Sequence, residues 1–326
     1  MTEETVSRLT PGDVETIRTI AARLQESVER VIVGKTEVVR LAMVALLCEG
    51  HILLEDVPGL GKTTLAKSIA RSLGCSFKRI QFTPDLMPSD ITGINYYNQK
   101  SGEFAFREGP LVAQVVLADE INRATPRTQA ALLEAMEERT ITVEGVTATL
   151  PRPFLVMATQ NPVELEGTFP LPEAQLDRFL VRLELGYPDE DGEDEILSRF
   201  ETHSPLDDLT PVVEAAELQR LTAALGRLHV EPGVRRYAVR IVRETRAESA
   251  FELGASPRAS IALFRAARAH AALEGRDFVL PDDVKQMARH VLPHRLILST
   301  QARLRGRGAK ELLEEVLQRV PVPVEA

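Results

Sequence analysis

The chain of 326 residues contains no tryptophan and only two cysteines. Nowhere does it approach the roughly 20 consecutive apolar residues of a membrane span. Cys48 and Cys75 cannot build a disulfide framework or a cysteine metal cluster, which fits a reducing cytoplasm. The opening MTEETVSRLTPGDVE is acidic and polar, unlike a secretory signal. Histidine is scarce too. Of the six, the close pair His290 and His294 has Pro293 between them and no acid, which excludes a His-Glu-x-x-His zinc site. There is no fixed-period repeat and no low-complexity tract. Basic residues are outnumbered, 39 to 48, and the net charge of -9 argues against a protein that coats nucleic acid, although a local basic channel is compatible with it.

What is present reads as globular: 44% hydrophobic and 27% charged residues, in a chain long enough for about two domains of roughly 150 residues. The densest charge run, Pro188 to Glu195, reads as a solvated linker leading into the acidic start of a helix. It divides the chain into residues 1–187 and 188–326.

The stretch "EDVPGLGKTT", Glu55 to Thr64, ends like the phosphate-binding pattern Gly-x-x-x-x-Gly-Lys-Ser/Thr but has Asp56 where that pattern starts with glycine. Its context is strand, loop, helix. His51 to Leu54 is an apolar run of strand length, and Leu65, Ile69 and Leu73 recur every four residues until Gly74. A helix opening at about Gly61 aims its free N–H groups and positive dipole end at an anion in the loop. A plain Pro58-Gly59 turn leaves Gly61, Lys62, Thr63 and Thr64 unexplained.

Val115 to Ala118 reads as a strand buried on both faces, and it ends in Asp119-Glu120. Capping of the next turn accounts for one of these acids. In a phosphoryl-transfer site both have work, Asp119 holding Mg²⁺ and Glu120 polarising the attacking water. Phe154 to Ala158 reads as a third strand, running into Asn161-Pro162. Asn161 is a turn former by itself. With its strand between the other two, its amide can orient the water opposite the γ-phosphate. Thr140 to Thr149 alternates about Glu144-Gly145 and reads as a hairpin, as does the region around Asn98 to Gly102.

The blocks "FTPDLMPSDITG", "LADEINRATPRTQAALLEAMEERTITVEG", "ATQNPVELEGTFPLPEAQLDRF" and "GASPRASIALFRAARAHAALEGRDFV" resemble the MoxR family of AAA+ ATPases, from about Val31 onward. The resemblance implies an α/β nucleotide-binding core with a five-stranded parallel sheet and its N-terminal helix, then a smaller all-helical lid. It also implies ring oligomers, typically hexamers, and ATP/ADP and Mg²⁺ as ligands. The implied work is chaperone-like, on protein clients, with a von Willebrand factor A domain partner. The loop Pro58, Gly59, Leu60, Gly61, Lys62, Thr63 and Thr64 then holds nucleotide, with Asp56 a family-style variation, and Thr63 and Asp119 hold the metal. Glu120 is the base and Asn161 the first sensor.

Arg178, at the end of the helix "LPEAQLDRF" and before the alternating strand Val181 to Leu185, matches the arginine finger that completes a neighbour's site. Its local explanation is a cation complementing a helix C-terminus. Ser256-Pro257 is a helix start that puts Arg258 in the first turn, where the dipole disfavours a cation by roughly 0.3 to 1 kcal/mol, so an anion should offset it. The family match makes Arg258 the lid's sensor arginine, reaching back to the γ-phosphate, and the alternative is an ordinary salt bridge. The hairpin over residues 94–107 resembles a pore-side insertion, where Tyr96, Tyr97, Phe104 and Phe106 either meet a client or simply pack. Two other function classes share such a core: a DNA motor, opposed by the acidic balance and the lack of a basic arm, and a nucleotide-gated binding module with little turnover, opposed by Asp119, Glu120 and Asn161 together.

Overall fold

The computed structural model describes residues 9–323 apart from residue 101 and residues 163–166. Helices α1 (Pro11–Glu29) and α2 (Thr36–Leu47) come first. A capping box opens α1, with the Asp13 N–H donating to Thr10 Oγ1 at 3.2 Å and the Thr10 N–H donating to the Asp13 carboxylate at 3.0 Å. Strand β1 (Ile52–Glu55) then leads through α3 (Lys62–Ser72) to β2 (Phe77–Gln81). After α4 (Pro88–Thr92) comes a hairpin of β3 (Gly93–Asn98) and β4 (Glu103–Glu108), and the chain re-enters the sheet as β5 (Val115–Asp119). Next, α5 (Pro126–Glu138) is followed by the hairpin of β6 (Thr140–Val143) and β7 (Val146–Thr149), turning at Glu144 (φ 49°) and Gly145 (φ 82°) as the Glu-Gly pair predicts. The core closes with β8 (Leu155–Gln160), the single turn α6 (Glu173–Leu176) and β9 (Val181–Leu183).

The five-stranded sheet has the order β2-β5-β8-β1-β9, every pair parallel. Strand β8 therefore lies between β1 and β5, the placement on which the reading of Asn161 depends. Residues alternate cleanly between faces. Ile52, Leu54, Val115, Leu117, Leu155 and Met157 join one hydrophobic cluster, and Leu53, Val116, Ala118, Val156 and Ala158 join the other. With both faces buried, the strands read as continuous apolar runs.

The second half comprises α7 (Glu190–Arg199), α8 (Ala215–Leu225), α9 (Pro232–Ala247), β10 (Phe251–Leu253), α10 (Pro257–Leu273), α11 (Pro281–Val291), β11 (Ile297–Leu298), α12 (Thr300–Leu304) and α13 (Ala309–Arg319). Its described residues are helical apart from the short antiparallel pairing of β10 with β11, an isolated parallel bridge between His229 and Phe278, and the connecting loops. Most of the acidic run is helix rather than linker. Asp189 caps the Gly192 N–H at 2.9 Å, and Glu190, Asp191 and Glu193 sit in the first turn of α7, where the dipole favours them. The lid does not stand apart: α8 and α10 pack on α2, and α1 also meets α10, so lid and one sheet face share a single hydrophobic cluster.

Candidate active site

At the carboxyl end of β1 the loop wraps back over the start of α3. Gly59 (φ 90°) and Gly61 (φ 86°) take left-handed conformations that side chains other than glycine resist. Asp56 is not among the residues with positive φ, so the backbone there has no need of glycine. Its carboxylate Oδ2 accepts the N–H groups of Leu185 and Gly186, the latter at 2.9 Å, and ties the loop to the chain leaving β9. Its main-chain oxygen accepts from Lys62 Nζ at 2.6 Å. The departure from the common pattern thus has a structural use.

Pro58, Gly59, Gly61, Lys62, Thr63 and Thr64 line a cleft of about 370 Å³ with Arg79, Asp119, Glu120, Thr159 and Asn161. Leu60 instead packs against the core. Helix α3 starts with no side-chain cap and no acid in its first turn, so its orphan N–H groups face the cleft and fit an anion such as a polyphosphate. Burial lowers the Lys62 ammonium below its usual range, against the pull of Asp56, Asp119 and Glu120. Thr63 and Asp119 are hard oxygen donors. Mg²⁺ suits one carboxylate plus phosphate and water ligands rather than a protein cage, and among the described residues no cluster of three or more His, Cys, Asp or Glu offers a cage.

Both acids are tethered, and Thr159 links them. Asp119 Oδ1 accepts from Thr159 Oγ1 at 2.6 Å, and Oδ2 accepts from Arg79 Nη2 at 2.6 Å and Nε at 3.0 Å. Glu120 has φ 56°, a strained value for a residue with a β-carbon, and its N–H donates to the same Thr159 Oγ1 at 2.8 Å. Its Oε2 accepts from Gln81 Nε2 at 2.9 Å and Arg123 Nη1 at 3.0 Å. Asn161 is buried at the carboxyl end of β8 and faces the cleft. Thr159, Arg79, Gln81 and Arg123 escaped the sequence reading. Arg79 and Gln81 share one face of β2 by their i, i+2 spacing, but β2 has three exposed residues and no apolar run to announce it.

Arg178 and Arg258 are elsewhere. Both pair with Glu137 near the end of α5, Arg178 Nη1 at 3.2 Å from Oε2 and Arg258 Nη2 against Oε1. Arg178 Nη1 also donates to the Leu133 carbonyl at 2.6 Å. Glu137 is the anion that a cation in the first turn of α10 calls for. Around these arginines, a second cavity of about 350 Å³ is lined also by Gly50, His51 and Leu180, which precede β1 and β9. They therefore occupy the amino edge of a parallel sheet whose carboxyl edge carries the glycine-rich loop of Pro58 to Thr64. Four residues of β1 at about 3.3 Å each put roughly 13 Å of strand between the two edges.

Strand order, lid and cleft together are those of an AAA ATPase. Residues 51–181 match the family model for the ATPase family associated with various cellular activities (AAA), and residues 243–316 match the AAA lid domain. The chain is 49% identical to the uncharacterized protein YeaC of Bacillus subtilis over 95% of this chain and 97% of that one. It is 42% identical to the chaperone MoxR1 of Mycobacterium tuberculosis, over 96% and 86% respectively. A crystal structure of a candidate ATPase from Cytophaga hutchinsonii superposes with a TM-score of 0.89 at 36% identity, covering 96% of this chain and 98% of that one. The chain belongs to the MoxR family of AAA+ ATPases.

Proposed function

We propose that the protein hydrolyses ATP with Mg²⁺ in a ring, typically of six subunits, and uses the cycle to remodel or mature protein clients, with a von Willebrand factor A domain protein as partner. The nucleotide-binding core spans residues 1–187 and the lid residues 188–326. Family membership supports the client and partner, and the name of the mycobacterial relative, a chaperone, points the same way.

In this reading Lys62 contacts the outer phosphates, the loop and the α3 N-terminus cradle them, and Thr63 and Asp119 hold the metal. Bound Mg²⁺ supplies neutralisation of charge on the β- and γ-phosphate oxygens. Glu120 takes the proton of the attacking water and Asn161 orients that water; Gln81 and Arg123 must release the Glu120 carboxylate for it to act. Arg178 and Arg258 stabilise charge in the site of the adjacent subunit, and Arg258 senses the γ-phosphate there.

One observation carries the ring: the cleft and the arginine pair lie at opposite sheet edges, so each chain holds the two halves of a site it cannot close alone. The test mixes Arg178→Ala with Glu120→Gln subunits, each nearly inactive, under conditions of subunit exchange. Recovery of hydrolysis is expected, because some interfaces pair intact Glu120 with intact Arg178. No recovery in verified mixed rings overturns the shared site.

A further inference from the structure

Arg178 has to be presented at a defined angle, and locally its backbone is held only by the turn bond from its N–H to the Gln175 carbonyl at 3.2 Å. Helix α6 is a single turn of four residues, far too short to sustain itself, and the carbonyls between it and β9 need donors from elsewhere. One lid side chain supplies most of them. Arg295, 6% exposed, donates from Nη2 to the Asp177 carbonyl at 3.1 Å and the Phe179 carbonyl at 2.6 Å. Its Nη1 serves the carbonyls of Leu180, at 3.2 Å, and Val291, and its Nε donates to Asp177 Oδ1 at 2.7 Å. His294 Nε2 lies 3.0 Å from the Phe179 carbonyl, which only accepts, so that nitrogen carries the ring proton. The other carboxylate oxygen, Asp177 Oδ2, accepts from Ser256 Oγ at 2.8 Å. Ser256 is the N-cap of α10, two residues before Arg258.

A buried guanidinium is costly to desolvate, and an apolar residue of similar volume would fill the same space at lower cost. What an apolar residue cannot do is hold the carbonyls flanking Arg178 and, through Asp177, the start of the helix that carries Arg258. We infer that Asp177 and Arg295 are positioning residues, which lock Arg178 to the lid so that Arg178 and Arg258 reach the neighbouring subunit's phosphates as one unit. The inference rests on the shared-site reading of Arg178. It makes the seating of one subunit's lid a determinant of catalysis in the next.

The test compares Asp177→Asn, which keeps the shape and removes the charge, with Arg295→Lys, which keeps the charge and loses the fork of donors. Both are measured in assembled, Mg²⁺-loaded protein, beside Arg178→Ala and the double variant Asp177→Asn/Arg178→Ala. Expected are ATP dissociation constants within about twofold of wild type, a kcat lowered at least about tenfold, and no further loss in the double variant. Asp177→Asn subunits should also regain activity when mixed with Glu120→Gln subunits, as a merely destabilised subunit would not. If Arg295→Lys does not fold, the near-isosteric Asp177→Asn carries the test. Wild-type kcat in Asp177→Asn beside an impaired Arg178→Ala overturns the inference alone, as does the same loss repeated in the double variant. Wild-type kcat in Arg178→Ala removes the shared-site reading first and this inference with it.

Discussion

Lys62 and Glu120 sit in one cleft but should fail differently when changed. Lys62→Ala should lose ATP binding, because the ammonium at the outer phosphates is gone, whereas Glu120→Gln should bind ATP and leave it uncleaved. Nucleotide titration and single-turnover hydrolysis separate the two, and wild-type hydrolysis by assembled Glu120→Gln would remove Glu120 from its role. For Asp56→Gly the geometry predicts a loss of stability without a loss of affinity. Two N–H groups lose their acceptor, a cost of about 1 to 3 kcal/mol, while the main-chain oxygen that accepts the Lys62 hydrogen bond is retained. ATP affinity should stay within about tenfold, roughly 1.4 kcal/mol, and a larger drop would mean that the carboxylate itself serves the nucleotide.

His51 supplies a pH dependence. Its Nδ1 accepts the Val156 N–H and its Nε2 donates to the Met136 carbonyl, both at 3.0 Å, and burial lowers its pKa from 6.5 to about 4. The unfolded chain takes up a proton below 6.5 that the native protein refuses until about 4, so stability present above that window is lost as pH falls through it, by about 3 kcal/mol at most. His294, held well below its usual value by burial and by Arg295, adds a loss of the same sign. His51→Gln should be less stable than wild type near pH 7 but should lose less on going to about pH 5 in urea unfolding. A loss equal to wild type's would show that His51 does not titrate in that window.

Among the elements, the β3-β4 hairpin stands out because it exposes what it could have buried. Tyr97 and Phe104 pair across it with ring centroids 5.5 Å apart, yet are 54% and 75% exposed. Such a pair contributes about 0.5 to 1.5 kcal/mol, and the hairpin is attached to the core through α4 and to the β6-β7 hairpin through β6 and a bond from Asn95 to Glu144 at 2.9 Å. Replacing both rings by serine should leave basal hydrolysis unchanged and lower the yield of client or partner captured on an ATP-locked Glu120→Gln ring. Undiminished capture would confine these aromatics to holding the hairpin together.

At the scale of the molecule, the lid is part of the core's stability rather than an appendage. Helix α2 is buried along nearly its whole length, from Val39 to Leu47 with one half-buried position, because α1 and β9 cover part of it and α8 and α10 the rest. A chain ending at residue 187 would expose that apolar surface at about 25 cal/mol per Å². It should therefore aggregate or lack a cooperative unfolding transition, as light scattering and thermal denaturation would show. A monomeric, cooperatively folding fragment would mean that the interface between lid and core is dispensable.

The sequence by itself determined the parts whose physics is local. Strand-length apolar runs ending in polar residues marked β1, β5 and β8, glycines and a lysine before an amphipathic helix marked the phosphate loop, and Glu-Gly marked the β6-β7 turn. Family resemblance added the lid and the roles proposed for Arg178 and Arg258. The tertiary structure alone decided which groups meet. That Thr159 joins Asp119 to the Glu120 backbone depends on β8 lying beside β5, and that Arg79 and Gln81 hold the two acids depends on β2 lying at the other side of β5. That Arg178 and Arg258 share Glu137 at the far edge of the sheet depends on the lid packing against α1 and α2. Each is a contact between residues tens of positions apart, set by strand order and by which face a helix covers, and no window of a few residues carries either.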